Sequence, residues 1–286
     1  MKKIAFAVSA VSFALLTSCG HQAKETETVV EEVKVETEEF AYLSEQFADL
    51  KIVRYQVPGW ENLSLKQKEL LYYLYEAAIS GRDMMYDQNF KHNLSIRRSL
   101  EAILENFEGD TASEEYQNLL TYTKRVWFSN GIHHHYGNEK MIPEFTPVFF
   151  KTQLVSIDGN KLPLSNGETQ QELADRLATI LFDSTIAIKK VSSDTKGDLV
   201  ANSAVNFYEG VTQTEVEAYF SQFSKDGNQP EHGLNSKMVK ENGKVVEKKW
   251  MIGGMYSPAI EKIVYWLEKA VEVAETPQQA ETFKRL

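Results

Sequence analysis

The residues best able to do chemistry stand in one run, Trp127–Phe145, reading WFSNGIHHHYGNEKMIPEF. It holds His133, His134 and His135 in a row, out of 6 histidines in the chain. Imidazoles can ligate a transition metal or move a proton near neutral pH. A helical zinc pair needs histidines at i and i+4, whereas in an extended segment His133 and His135 share a face and His134 points away. At most two of the three imidazoles converge, and no sequence feature selects a third ligand. Trp127, Phe128, Tyr136 and Phe145 are interleaved with Asn130-Gly131 and Gly137-Asn138, pairs that tolerate positive φ and make turns. The run therefore predicts a loop whose rings anchor it to a core, rich in amides, of the kind that carries binding. Three readings stand open for it: metal ligation, contact with a bound molecule, or a packed structural loop.

The remaining chemistry-bearing group is Cys19, the only cysteine. Lys2 and Lys3 precede a short apolar run, Ile4–Leu16, and Leu16-Thr17-Ser18-Cys19 resembles a bacterial lipobox. Residues 1–19 thus read as a lipoprotein signal peptide, with Cys19 as the lipid attachment point. A single cysteine allows no intramolecular disulfide despite export. Residues 20–39 carry most of their charge as glutamate, lack aromatics, and read as an acidic disordered tether. The net charge of −10 argues against a nucleic-acid partner, which would need clustered Lys and Arg.

The elements that must position the histidine loop follow from hydrophobic period and turn chemistry. Phe40–Leu50 has Phe40, Leu43, Phe47 and Leu50 on one helical face, and Ile52–Val57 is a short β-like run. Leu65–Ser80 is predicted helical, capped by Asn62 or Ser64, with Gly81 at its end. Arg82–Phe90, His92–Glu105 and Ser113–Ser129 continue the helical part, and the last runs straight into the loop. Pro143 and Pro147 bracket an irregular exit. Leu154–Leu164 reads as a tight turn or hairpin around Asp158-Gly159-Asn160. Glu168–Phe182 is an amphipathic helix, Ile186–Ser192 is β-branched, and Ala204–Glu209 is strand-like. Thr212 or Thr214 caps a helix over Glu215–Phe223, and Ser224–Asn235 is a polar loop. Asn242-Gly243 joins two strands in a hairpin. Ser257 caps a long helix with Pro258 at its first position. Its face of Ile260, Ile263, Val264, Leu267 and Val271 should pack on a core. Thr276-Pro277 ends it, and a further helix spans Gln278–Leu286. The fold class is α+β: a helix-rich N-terminal part, then mixed short strands and helices, with no βαβ alternation.

Four segments carry a resemblance: Lys68–Asp87 (KELLYYLYEAAISGRDMMYD), Val126–Pro143 (VWFSNGIHHHYGNEKMIP), Val205–Thr212 (VNFYEGVT) and Met255–Glu275 (MYSPAIEKIVYWLEKAVEVAE). Residues from about Asn62 to Leu286 resemble the N-terminal part of the dipeptidyl peptidase III family of zinc metallopeptidases, nearest to its exported bacterial members. The resemblance implies a two-lobed enzyme with a peptide in the cleft between lobes, from whose N-terminus dipeptides leave. It implies a helical zinc lobe and a mixed lobe with a small, here partial, β-barrel. Zinc in the complete family enzyme is held by His-Glu-x-x-x-His and a later Glu. No His-Glu pair occurs in this chain, and Glu231-His232 has the reverse order. No catalytic residue or zinc ligand can therefore be carried over.

Residues 40–286 are accordingly expected to be the N-terminal, substrate-binding, non-zinc lobe of an exported dipeptidyl peptidase, apparently truncated and inactive alone. The candidate substrate contacts are Asn130, Ile132, His133 and Tyr136. The implied partners are an oligopeptide substrate and the missing zinc-binding lobe, with the membrane reached only through the N-terminal lipid. The expected location is the periplasmic face of the outer membrane. The rival readings are a non-catalytic peptide- or partner-binding lipoprotein, and a metal-dependent hydrolase using His133–His135.

Overall fold

A computed structural model describes residues 40–223 and 235–286. The expected signal peptide with Cys19, the expected acidic tether, and residues 224–234 with Glu231-His232 lie outside the described residues. The fold is carried by one compact unit, Tyr42–Leu286.

Its main core is built by helices α2 (Arg82–Asn89), α3 (Asn93–Asn106), α4 (Glu114–Ser129), α5 (Pro147–Ser156) and α6 (Gln170–Phe182). The apolar period places Ile96, Leu100 and Ile103 on one face of α3, Leu119, Tyr122 and Val126 on one face of α4, and Leu173, Leu177 and Leu181 on one face of α6. These faces close on each other, with Phe145 and Phe150 filling the centre. The helix ends are set locally. Ser64 and Gln67 form a capping box at the start of α1 (Leu65–Ser80), and Thr169 with Glu172 does the same for α6. Thr146 and Pro147 start α5, where the sequence reading saw only an irregular exit.

A smaller cluster, Val211, Val216 and Met238, lies between helix α7 (Gln213–Ser221) and a three-stranded sheet. The sheet order is β3 (Tyr208–Glu209), β4 (Ser236–Glu241), β5 (Lys244–Lys249), with β3 parallel to β4 and β4 antiparallel to β5. Asn242 and Gly243, both at positive φ, make the hairpin between β4 and β5. Helix α8 (Ser257–Glu272) packs on α1 and is followed by α9 (Pro277–Arg285). The fold is α+β.

Several expectations give way to tertiary context. Phe40–Leu50 is not a helix: β1 (Leu43–Phe47) and β2 (Leu50–Val53) form a hairpin through Ala48, which sits at positive φ. Ion pairs from Glu45 to Lys124 and from Asp49 to Arg125 dock it on α4, an interaction the spacing of four apolar residues does not carry. Of the two forms expected for Leu154–Leu164, the tight turn forms, as a single 3-10 turn capped by Asp158, and the hairpin does not, because the first residues end α5. The β-branched stretch Ile186–Ser192 is interrupted by Ala187 at φ 50 and carries an isolated bridge from Lys189 to Glu139. Of Ala204–Glu209 only Tyr208 and Glu209 pair in a sheet. The expected partial barrel is, among the described residues, an open sheet with a separate two-stranded hairpin. Tyr256, not Ser257, is the cap residue of α8, whose apolar face meets α1 rather than the main core.

Candidate functional site

The histidine loop leaves α4 at Asn130, which takes the left-handed conformation (φ 51, ψ 43) that asparagine tolerates at a helix end. Gly131 follows at φ 143, and a methyl group there would lie 2.1 Å from Nδ2 of Asn93. Only glycine fits. Asn93 is fully buried at the start of α3 and holds the loop by its side chain. Its Nδ2 donates to the carbonyl of Tyr86 (3.1 Å) and, more weakly, of Asn130 (3.5 Å), while Oδ1 accepts from Ile132 N–H (3.2 Å). Asn89 adds a bond to the Asn130 carbonyl (3.1 Å). At the far end of the loop, the buried Tyr122 hydroxyl donates to the Met141 carbonyl (3.1 Å). Burial pushes this phenol's pKa up.

The four candidate contacts occupy different environments. Ile132 is 0% exposed and belongs to the core. His133 is 2% exposed, edge-on to Phe90, and its Nε2 bonds the Ala187 carbonyl (2.8 Å). The carbonyl accepts, so the proton sits on Nε2, and Nδ1 is left without a partner. Burial lowers the His133 pKa to about 4, and the imidazole is neutral at pH 7. Asn130 is half-buried and contributes chiefly its carbonyl. Tyr136 is 85% exposed and is the candidate that fully faces solvent. Its ring, 4.4 Å from that of His135, belongs to a row in which His135 contacts His134 at 4.4 Å and Phe128 at 4.8 Å.

Zinc does not fit these groups. His133 donates from Nε2 to a carbonyl and keeps only Nδ1 as a possible donor atom to a metal, and His134 Nδ1 accepts from the amides of Gly137 (3.0 Å) and Tyr136 (3.3 Å), leaving one nitrogen on each. Among the described residues no three His, Cys, Asp or Glu side chains gather into a metal site. The metal-dependent reading of His133–His135 therefore lacks a donor set, and no chemical step is assigned to a metal here.

The segment facing the loop, residues 183–190, is fixed by Lys140. Its ammonium donates to the carbonyls of Ile180 (2.9 Å), Ile186 (2.8 Å) and Asp183, at the C-terminal end of α6 where the helix dipole favours a cation. Backbone bonds from Lys140 to Ile188 and from Lys190 to Asn138 complete the join. That segment also lines a cavity of about 600 Å³, together with Phe90, Lys91, His92 and residues 201–206 and 208–210. Burial, then the nearby charges of Lys91 and Arg176, lowers the His92 pKa to about 4. Asn93, Lys140 and Ala187 carry this arrangement and were not singled out by sequence. A lone Asn at a helix start reads as a cap, and a lone Lys as solvated surface.

Comparison with known proteins adds a distant likeness. No protein-family model matches the chain, and no curated protein matches it. Among solved structures, DPP III from Caldithrix abyssi is similar at 15% identity with a TM-score of 0.46. The likeness is distant and partial. It covers 79% of this chain and 30% of that one, so the chain spans under a third of the DPP III chain that it matches.

Proposed function

We propose that this chain is the peptide-binding lobe of an exported, zinc-dependent dipeptidyl peptidase, with the zinc motif supplied from outside these 286 residues. The observation that carries the reading is spatial. The four segments with the family resemblance are far apart in sequence, yet each of the other three meets the first, at α1 or α2. Tyr86 donates to the Trp127 carbonyl (3.4 Å), Asn206 reaches both the Gln88 carbonyl (2.9 Å) and the Asp87 carboxylate (3.2 Å), and α8 packs along α1. Segments that chance had made similar would have no reason to share one patch of the fold. In this reading Tyr136 and the Asn130 amide meet an oligopeptide directly, and Ile132 and His133 shape the loop beneath them. Lipid on Cys19 holds the lobe at the periplasmic face of the outer membrane.

The test compares the complete gene product, isolated from the membrane fraction, with the 286-residue chain on a dipeptidyl-naphthylamide substrate. The complete product is expected to release dipeptides in a chelator-sensitive way, and the shorter chain to be inactive. Turnover by the shorter chain, abolished by His133→Ala, would overturn the reading. Cys19→Ala is expected to leave the protein soluble or unprocessed. Normal processing and membrane retention of that variant would remove the lipid anchor from the proposal.

A further inference from the structure

The cavity behind the histidine loop has unspent binding capacity. Its volume of about 600 Å³ lies within the roughly 300–1,000 Å³ usual for small-ligand sites. Most polar side chains in its wall are already engaged. Thr185 bonds Asp183, Ser192 and Ser203 bond main chain, and Asn206 bonds Asp87. Three neutral groups in the wall make no side-chain hydrogen bond among the described residues: the imidazole of His92, the carboxamide of Asn202 and the phenol of Tyr208. Each can donate and accept, which is what an amide link requires of a site. The lining charges come as two ammonium groups, Lys91 and Lys189, and two carboxylates, Asp194 and Glu209; Lys91 pairs with Glu209 (3.3 Å), which Lys237 also holds, Lys189 pairs with Glu139 (3.6 Å), and Asp194 makes no ion pair among the described residues. Such a balance gives no net pull on a simple anion or cation but suits a molecule with one charge of each sign.

The wall is also held in an uncommon shape. Ala187, at φ 50, lines the cavity, and its carbonyl is gripped by the buried His133. An alanine in the left-handed region persists only where its surroundings impose it. The side chain that grips the Ala187 carbonyl is buried, neutral and uninvolved in any other hydrogen bond.

We propose that this cavity is a second binding site, for a short zwitterionic peptide of two or three residues with both termini free, and that His133 is the positioning residue for its wall. His92, Asn202 and Tyr208 meet the amide links, Asp194 meets the amino end, and Lys189 meets the carboxylate end by exchanging its pair with Glu139. The inference rests on the reading of the chain as a peptide-binding lobe. It differs from that reading in placing short peptides behind the histidine loop rather than on its outer face.

The experiment is isothermal titration of the 286-residue chain with Ala-Tyr, with Ala-Tyr acetylated and amidated at its ends, with free alanine, and with a pentapeptide. Free Ala-Tyr is expected to bind at least ten-fold tighter than its doubly blocked form and than alanine. Asn202→Ala, at an exposed position, is expected to weaken Ala-Tyr at least five-fold without lowering the melting temperature. His133→Ala is expected to weaken it too, and His133→Gln, whose amide can still donate to the Ala187 carbonyl, to recover part of the loss. Should His133→Ala fail to fold, Asn202→Ala and His92→Gln decide alone. Equal binding of free and blocked dipeptide, or unchanged binding by Asn202→Ala and His92→Gln, would overturn the site. Binding of the pentapeptide alone, weakened by Tyr136→Ala, would overturn the cavity while leaving the peptide-binding lobe standing. No binding of any peptide would remove both.

Discussion

Replacing Asn93 with alanine should cost far more than its single, uncharged side chain suggests. Three groups face that carboxamide, and they are not equally hurt by its loss. The Tyr86 carbonyl keeps the Phe90 amide (3.2 Å), and the Asn130 carbonyl keeps Asn89. The Ile132 N–H has no other partner and lies in a residue with no exposed surface. Stranding that one donor costs about 1–3 kcal/mol, and losing the bond to Tyr86 adds about 1 kcal/mol. With the void left by the carboxamide, the total is about 3–4 kcal/mol, of the order found for other buried truncations. For a unit of this size that corresponds to a fall in Tm of about 6–16 °C. Asn93→Asp should be worse than alanine at neutral pH, because a buried carboxylate would face two carbonyls, and should recover as acid protonates it. Guanidinium denaturation and thermal melts of the two variants measure this directly. A loss below about 1 kcal/mol for alanine, or an aspartate variant no worse than alanine at pH 7, would refute the assignment of Asn93 as the loop's anchor.

Gly131→Ala should be severely destabilising, since φ 143 excludes alanine and the added methyl would sit 2.1 Å from Asn93 Nδ2. Combined with Asn93→Ala its cost should fall well short of additive, and strict additivity would show that the two positions do not compete for one space. The His133 pKa is depressed to about 4 in the fold against about 6.5 in the unfolded chain, so the unfolded chain takes up the proton first as pH falls. The stability from this group is complete above pH 6.5 and is lost between 6.5 and about 4, by up to about 3 kcal/mol. Denaturant midpoints between pH 7.5 and 4.5 should therefore slope less in His133→Gln than in the parent, with a residual slope from His92; parallel curves would contradict the burial argument. Tyr136→Ala should leave Tm almost unchanged and weaken oligopeptide binding, whereas Ile132→Ala should lower stability by about 2–5 kcal/mol, and the reverse pattern in melts and titrations would exchange their roles.

Much of the helical framework was legible in the sequence because its signals are local. Ser64 with Gln67 and Thr212 with Glu215 are capping boxes that any reader of the chain can find. The three-four spacing of Ile96, Leu100 and Ile103 fixes which face of α3 turns inward, and Asn242-Gly243 fixes a hairpin, whatever lies around them. The position of the histidine loop at the end of α4, and its turn-forming Asn-Gly pairs, were likewise local properties. The tertiary structure alone decided which of the loop's residues face inward. Ile132 and His133 are adjacent to His134 and Tyr136 with nothing in composition to separate them. Burial of the first two follows from Asn93, 39 residues before Ile132, and from the Ala187 carbonyl, 54 residues after His133. The same holds for the first strands, where Lys124 and Arg125 on a distant helix outweigh a helical spacing of apolar residues. Local period and capping are encoded within one or two turns of chain, but a hydrogen bond between a loop and a carbonyl fifty residues away exists only once both have been brought together.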